Sequence, residues 1–294
     1  MMPLAAYADR LSVRPGETIK FQAANGTGRS VEARLVRVVS SDPNPAGLGI
    51  RTEAIDADVE KVMEPGPATV PLGSFAVVED LAPWSSEASF TLACRVFPTH
   101  IGERTQALLA RLNEAGHRGV GLMLGHHGRL RGLVGNGAGF ESAEVAQPLS
   151  ERRWYLVWLR FDADSRTLQA GHSPIGSISS YGGEPATANT MLSDEASLVT
   201  DSPLLMAAAD YGSPNAHLNG KLERPTLYDR ALDENEIQSL IQGEEPPGAS
   251  ARWDFAMDVS SSRIVDIGPN AMHGRLVNTP ARGMTGADWS GREM

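Results

Sequence analysis

The chain has 294 residues, with 36 Asp and Glu against 26 Lys and Arg and a formal net charge of −10. That acidic balance argues against a nucleic-acid partner, because phosphate binding draws its affinity from clustered Lys and Arg. No window approaches the roughly 18 apolar residues that span a bilayer, and Met1–Arg10 lacks the cationic start and apolar core of a secretory leader. A soluble, cytoplasmic protein with no membrane partner is expected, long enough to bury a substantial core without disulfides.

Glycine (30) and proline (19) are frequent, helical periodicity is rare, and short alternating runs separated by turn residues dominate, an all-β pattern. The first group of runs covers 1–72, a small N-terminal β extension. The Pro15–Gly16 turn precedes a strand at Thr18–Gln22, and Asn25–Gly26 marks the next turn. Val31–Val39 alternates over several periods, with Val31, Ala33, Leu35 and one of Val36 or Val38 expected to face inward. Asp42–Pro71 loses periodicity and collects Pro43, Pro45, Pro65, Pro67 and Pro71, which reads as a long connection.

The second group begins the main sandwich, expected over 73–294. Gly73–Val78 and Ser89–Phe97 read as strands, and the single cysteine, Cys94, as a small hydrophobe within the latter. Gln106–Asn113 and Val120–Leu124 form an expected hairpin around Gly116 and Gly119, with Leu130–Val134 returning across His126-His127-Gly128. Trp154–Phe161 is the strongest strand; Asp162–Arg166 turns it into Thr167–His172. Ser173–Ser202 is polar and irregular and reads as a long loop, after which Pro203–Ala209 and Gly220–Tyr228 complete the strands. Asp233 with Glu236 three residues on has the spacing of a capping box, so a short helix is expected there.

Glu244–Gly248 is an acidic, proline-bearing break. Beyond it, Trp253–Phe255, Ile264–Asp266 and His273–Asn278 read as strands that close the sandwich from 249–278. Trp253 and Phe255 are expected to be buried.

No residue pattern identifies catalysis or a metal site. Adjacent His126 and His127 lack a nearby Cys or carboxylate to complete a zinc set. His217 and His273 each stand alone and read as hydrogen-bonded structural histidines. Asp162, Asp164 and Ser165 are oxygen-rich, as calcium turns are, but lack the ligand set of a 12-residue calcium loop; a hairpin turn uses the same residues for bonds to its own backbone. Glu223 is the one carboxylate in a confident strand and reads as solvent-facing, whereas a glycosidase needs two, about 5 to 10 Å apart. There is no G-x-S-x-G, Gly135–Gly139 does not open a helix, and Arg129 and Arg131 read as a solvated hairpin. Trp154, Tyr155, Trp158 and Phe161 are expected to fill the core and one strand face rather than form a sugar-stacking platform.

The stretch Asn219–Ile237 resembles the closing strand and trailing helix of laminin-G-like, concanavalin A-like lectin/glucanase domains, and Trp253-Asp254-Phe255 with His273-Gly274 resembles the segment that usually opens them. The resemblance implies a jelly-roll β-sandwich and no particular activity. A wider ordered set comprises Tyr7 and Asp9, Gly16-Glu17-Thr18-Ile19 with Phe21, Leu35-Val36-Arg37, Asp42 to Gly47, Trp253 to Phe255, and Arg282-Gly283 with Thr285 and Trp289. That set resembles the N-terminal part of the large (beta) subunit family of N,N-dimethylformamidase. The resemblance implies a cytoplasmic amide hydrolase with a following α/β catalytic region carrying a mononuclear iron held by tyrosine and glutamate. No iron ligand maps onto a position of this chain, so no catalytic or metal residue and no cofactor is assigned within it. The implied role is a non-catalytic assembly module whose partner is that α/β region or subunit. A free-standing carbohydrate- or ligand-binding protein is the alternative, an independent hydrolase a third reading, and homo-oligomerisation is left open.

Overall fold

The structure is a computed structural model that describes residues 4–10, 12–44, 46–57, 62–66, 73–81, 84, 88–176, 184–210, 212–283 and 286–288. Pro45, Pro67, Pro71, Thr285 and Trp289, named above, lie outside the described residues. The chain divides into two compact units, Met1–Leu72 and Gly73–Met294.

The first unit consists of two-stranded ribbons. β1 (Leu4–Ala8) pairs with β2 (Phe21–Asn25), β3 (Val31–Glu32) with β6 (Val62–Met63), and β4 (Val36–Ser41) with β5 (Ile50–Ala54). Three expectations are corrected. The strand expected at Thr18–Gln22 lies at Phe21–Asn25. Val31–Val39 is split between two ribbons; Val31 and Ala33 are half-buried, but Leu35, Val36, Val38 and Val39 are all exposed. A two-stranded ribbon has no second layer against which to bury a face, so alternation alone cannot create an interior. Finally, the stretch read as a connection contains β5 and β6, its return strands. The chain reaches β5 through a turn built on side chains: Asp42 Oδ1 accepts from Asn44 N (2.9 Å) and Asn44 Oδ1 from Ala46 N (3.0 Å).

The second unit is the jelly-roll β-sandwich. Its strands are β7 (Phe75–Val78), β8 (Phe90–Pro98), β9 (Gln106–Asn113), β10 (Arg118–Leu124), β11 (Leu130–Gly135), β12 (Phe140–Glu144) and β13 (Tyr155–Asp162). They continue with β14 (Thr167–Pro174), β15 (Ala186–Met191), β16 (Leu204–Met206), β17 (Gly220–Tyr228), β18 (Ala251–Asp254), β19 (Arg263–Asp266) and β20 (Gly274–Val277). All pairings are antiparallel, in the order β12-β11-β10-β9-β16-β7-β20-β19-β18-β17-β8-β13-β14-β15. Phe90, Leu92, Val96, Val157, Leu159, Leu168 and Ala170 on one face meet Leu108, Leu122, Leu130, Val134 and Leu204 on the other in a single core. Each inward row follows the period of two that strands impose.

Two strands of this unit lie where the sequence gives no strand signal. β15 lies inside the segment expected to be a loop; its Ala186 and Ala188 pack on the core while Thr187, Asn189 and Met191 face out. β12 contributes only Ala143 to full burial. Both present small residues inward, so their apolar signal is faint. They lie at opposite ends of the strand order yet are tied by side chains: Thr190 Oγ1 donates to Ser142 O (2.9 Å), and Glu141 accepts from Ser193 N (2.8 Å) and Ser193 Oγ (2.5 Å).

The outer face of the β8–β13–β17 layer is covered by helix α1 (Glu234–Ile241). Asp233 accepts from Glu236 N (2.9 Å) while Glu236 Oε2 accepts from Asp233 N (3.0 Å), a complete capping box. The helix lays Ile237, with Leu240 and Ile241, over Ala93, Leu156, Trp158 and Tyr228. Trp158 fits only because position 171 is glycine: a Cβ there would lie 2.2 Å from the indole. β17 serves both layers of packing through a bulge between Glu223 and Thr226, with Arg224 at φ 48°. Beyond it, Leu227 enters the core and Tyr228 the helix-covered cluster.

β18, β19 and β20 carry the chain from one layer to the other, β18 pairing with β17 and β20 with β7. Trp253 is fully buried and its indole N–H donates to Met272 O (2.6 Å); Phe255 packs half-buried against the same core. Trp253→Ala is therefore expected to lower unfolding stability by about 3–5 kcal/mol, with Trp253→Phe intermediate. Urea unfolding followed at two wavelengths measures both.

Candidate functional site

The residues singled out by sequence are dispersed, and local structure explains most of them. Asp162 Oδ1 accepts from Asp164 N (3.0 Å) and Ser165 N (3.3 Å), so the oxygen-rich turn is closed on its own backbone. His126 and His127 are exposed in a single helical turn, with His127 in the left-handed region at φ 56°. Among the described residues no three His, Cys, Asp or Glu form a group able to hold a metal. Cys94 is buried in β8, and burial pushes its thiol pKa up, which keeps it protonated and unreactive.

His273 Nδ1 accepts from Asp266 N (3.0 Å), a structural role. His217 differs from expectation: its ring sits 5.9 Å from that of Phe75, and its buried Nδ1 has no hydrogen-bond partner among the described residues. It acts by packing rather than by hydrogen bonding. Arg129 pairs with Glu144 (3.3 Å) across the hairpin surface. Gly135–Gly139 closes a turn in which Asn136 Oδ1 accepts from Ala138 N (3.1 Å) and Gly139 N (2.8 Å).

Glu223 is corrected from solvent-facing to networked. It lies 3.7 Å from Arg95 and 3.6 Å from Arg224, and it accepts from Ala287 N (2.8 Å), while Asp288 joins Arg95 at 2.8 Å and Arg224 at 3.4 Å. This group fastens the segment 286–288 to β8 and β17. Sequence reasoning missed it because its members come from three distant stretches. A second group is Arg230, whose guanidinium grips Glu236 through two bonds of 2.5 and 2.6 Å. The Arg230 hydrogen bonds hold the Glu236 carboxyl below the usual carboxylate range. A third is Arg282, which donates to the carbonyls of Phe255 (2.8 Å), Met257, Asp258 (3.1 Å), Ser261 (2.9 Å) and Arg263 (3.3 Å), organising the whole β18–β19 connection.

The cavities lined by the described residues are small or open. The cleft between α1 and the sheet, bordered by Arg95, Leu156, Thr226, Tyr228 and Leu240, has about 30 Å³ of room, space for a water or two. A wider depression of about 280 Å³ beside Asp229, Arg230, Ser250 and Asn270 is open to solvent. Two of the described tyrosines are engaged away from any carboxylate cluster that could hold an iron. Tyr155 lies in the core and its hydroxyl accepts from Ser150 N (3.0 Å), while Tyr228 is fully buried between its neighbours Arg230 and Arg252. Trp158 is sealed under α1; of the outward aromatics, Trp154 and Phe97 remain half-buried with ring centroids 5.5 Å apart and Lys221 over Phe97 at 5.3 Å.

Residues 73–238 match the profile of the concanavalin A-like lectin/glucanases superfamily. The N,N-dimethylformamidase beta subunit of an Alcaligenes species is 30% identical over 313 residues, taking in 99% of this chain and 41% of that protein. The beta subunit of the same name from Paracoccus aminophilus is 31% identical over the same length and shares. The chain therefore spans 41% of the length of these curated relatives. A Bacteroides ovatus protein to which carbohydrate binding is ascribed superposes with a TM-score of 0.50 at 13% identity, covering 77% of this chain and 65% of that one. That likeness is one of fold.

One buried titratable group sets a pH response. His172 points into the core, its Nε2 2.9 Å from Gln147 O and its Nδ1 buried without a partner among the described residues. Burial holds its pKa below the ordinary 6.5, with the Gln147 carbonyl pulling the other way. Below about 6.5 the unfolded chain takes up a proton that the folded chain refuses, so this contribution to stability is intact above that pH and declines as pH falls. Chemical unfolding across that range should show a shallower acid loss for His172→Phe than for the unaltered protein; equal slopes would remove His172 from the acid response.

Proposed function

The chain belongs to the concanavalin A-like lectin/glucanase superfamily, and we propose that it is a non-catalytic structural and assembly module of an N,N-dimethylformamidase-like amide hydrolase. The observation that carries this reading is the alignment: 99% of the chain is related to proteins named as beta subunits, yet it spans only 41% of them. The amide chemistry of such proteins then belongs to an α/β catalytic region or subunit that acts as this chain's partner, and the iron belongs there too. Two further features support the reading. Asp162, Asp233, Glu236, Glu223 and Asp266 are absorbed in turns, a cap, ion pairs and main-chain hydrogen bonds, and the first unit exposes several large apolar side chains, among them Leu35, Val38, Val39, Leu48 and Ile50, which a partner could cover. A cytoplasmic setting is part of the proposal, and a buried free Cys94 suits a reducing compartment.

A second reading, binding of carbohydrate or another small ligand, rests on one observation: the half-buried Phe97 and Trp154 pair facing outward beside Lys221. A glycan array with the purified chain and its Trp154→Ala variant separates the two readings, since specific binding lost in the variant would favour the second. For the first, the purified chain should release no dimethylamine from N,N-dimethylformamide, with or without added iron. It should also co-elute on size exclusion with a dimethylformamidase-type catalytic region. Iron-dependent turnover by the chain alone, surviving removal of contaminating enzymes, would overturn the proposal.

A further inference from the structure

The sequence contains three Asn–Gly pairs, at 25–26, 136–137 and 219–220. Such a pair is chemically labile when its amide is free and its glycine nitrogen is unencumbered, because glycine has no Cβ to shield the backbone. Two of the three are restrained. Asn25 is buried, its amide donating to Arg29 O and accepting from Thr27 N (2.9 Å) and Thr27 Oγ1 (2.6 Å). Asn136 accepts from two backbone N–H groups and donates to Glu141 (3.3 Å), while Gly137 N is spent on His117 O (3.0 Å).

Asn219 and Gly220 are different. Both are exposed, and among the described residues the Asn219 side chain has no hydrogen-bond partner; only its backbone is held, N to Gln106 Oε1 (2.6 Å) and O by Thr99 N (2.8 Å) and His100 N (3.4 Å). Because Thr99 N reaches Asn219 O, the facing pair Gly220 and Pro98 is the non-hydrogen-bonded kind. Gly220 N therefore points away from β8, on the side where β18 joins β17 only from Thr226 onward. We propose that Asn219–Gly220 is a site of spontaneous deamidation. Gly220 N gives up its proton to solvent base, attacks Asn219 Cγ and forms the new C–N bond; the Asn219 Cγ–Nδ2 bond breaks, Nδ2 takes up a proton, and ammonia leaves with a succinimide behind. Water then opens the ring at either carbonyl, giving aspartate or isoaspartate, so that one water is consumed for each ammonia released and no oxidant or cofactor is needed.

The position is not free to escape the reaction by substitution. A Cβ at 220 would stand 2.6 Å from Phe97 O, so close approach of β17 to β8 requires glycine there. The isoaspartate product lengthens the main chain by a methylene at the point where Asn219 O is held by Thr99 and His100. Its effect is expected at the start of β17.

The test is to incubate the full chain at mildly alkaline pH and physiological temperature and to follow all three pairs by peptide mass mapping. Asn219 should convert several-fold faster than Asn25 and Asn136, giving a split pair of aspartate and isoaspartate peptides, and Asn219→Gln should abolish that product while leaving the other two rates unchanged. Equal rates at the three pairs, or an intact Asn219 while either of the others converts, would overturn the assignment.

Discussion

The two layers of the sandwich become one body at a single carboxylate. Asp266, at the end of β19, is buried, and its oxygens accept from Arg252 N of β18 (2.7 Å) and from Gly268 N (2.8 Å) and Met272 N (2.8 Å) of the connection that leads to β20. A buried carboxylate is tolerable only when its lone pairs are met, and here meeting them draws β18, β19 and the turn before β20 together. Trp253 then drops into the core with its indole N–H on the adjacent Met272 carbonyl. That knot adds to the main-chain pairing that already leads from β17 through β18, β19 and β20 to β7.

What the sequence shows and what it hides divides along the length scale of the interactions. Strands with large inward residues, such as Phe90–Pro98 and Tyr155–Asp162, declare themselves because branched and aromatic side chains recur with the pleat. The capping box at Asp233 and Glu236 is legible because both partners lie within one turn. β12 and β15 are not, since alanine and threonine give little contrast between faces. Val31–Val39 shows the converse error: its pattern is strong, but only a second layer turns alternation into burial, and β4 pairs with β5 alone. For the site, the closed turn at Asp162 was readable from neighbouring residues, whereas Arg95, Glu223 and Asp288 meet only after folding.

The charged residues of the sandwich act mainly as fasteners. Glu141 ties opposite ends of the strand order, Arg230 and Glu236 lock the helix start, and Glu223 with Arg95 and Arg224 holds the segment at 286–288. Exposed pairs contribute little singly, but each of these also satisfies backbone groups or joins segments far apart in the chain. The surplus of negative charge leaves the arginines well supplied with partners. In this sandwich the networks join strands and segments that the sequence keeps far apart.

The grip of Arg282 on the β18–β19 connection has an evolutionary corollary. The guanidinium reads only main-chain oxygens, those of Phe255, Met257, Asp258, Ser261 and Arg263, while within the loop the Asp254, Asp258 and Ser261 side chains close their own turns. Its tip, with Met257 and Val259 facing solvent, can drift through many sequences while the path of the chain stays fixed. A lysine cannot substitute, because a compact ammonium lacks the planar fork that spans five acceptors. Substitution at exposed Met257 and Val259 therefore changes the surface without touching the clamp, whereas Asp258, Ser261 and Arg282 are bound into it.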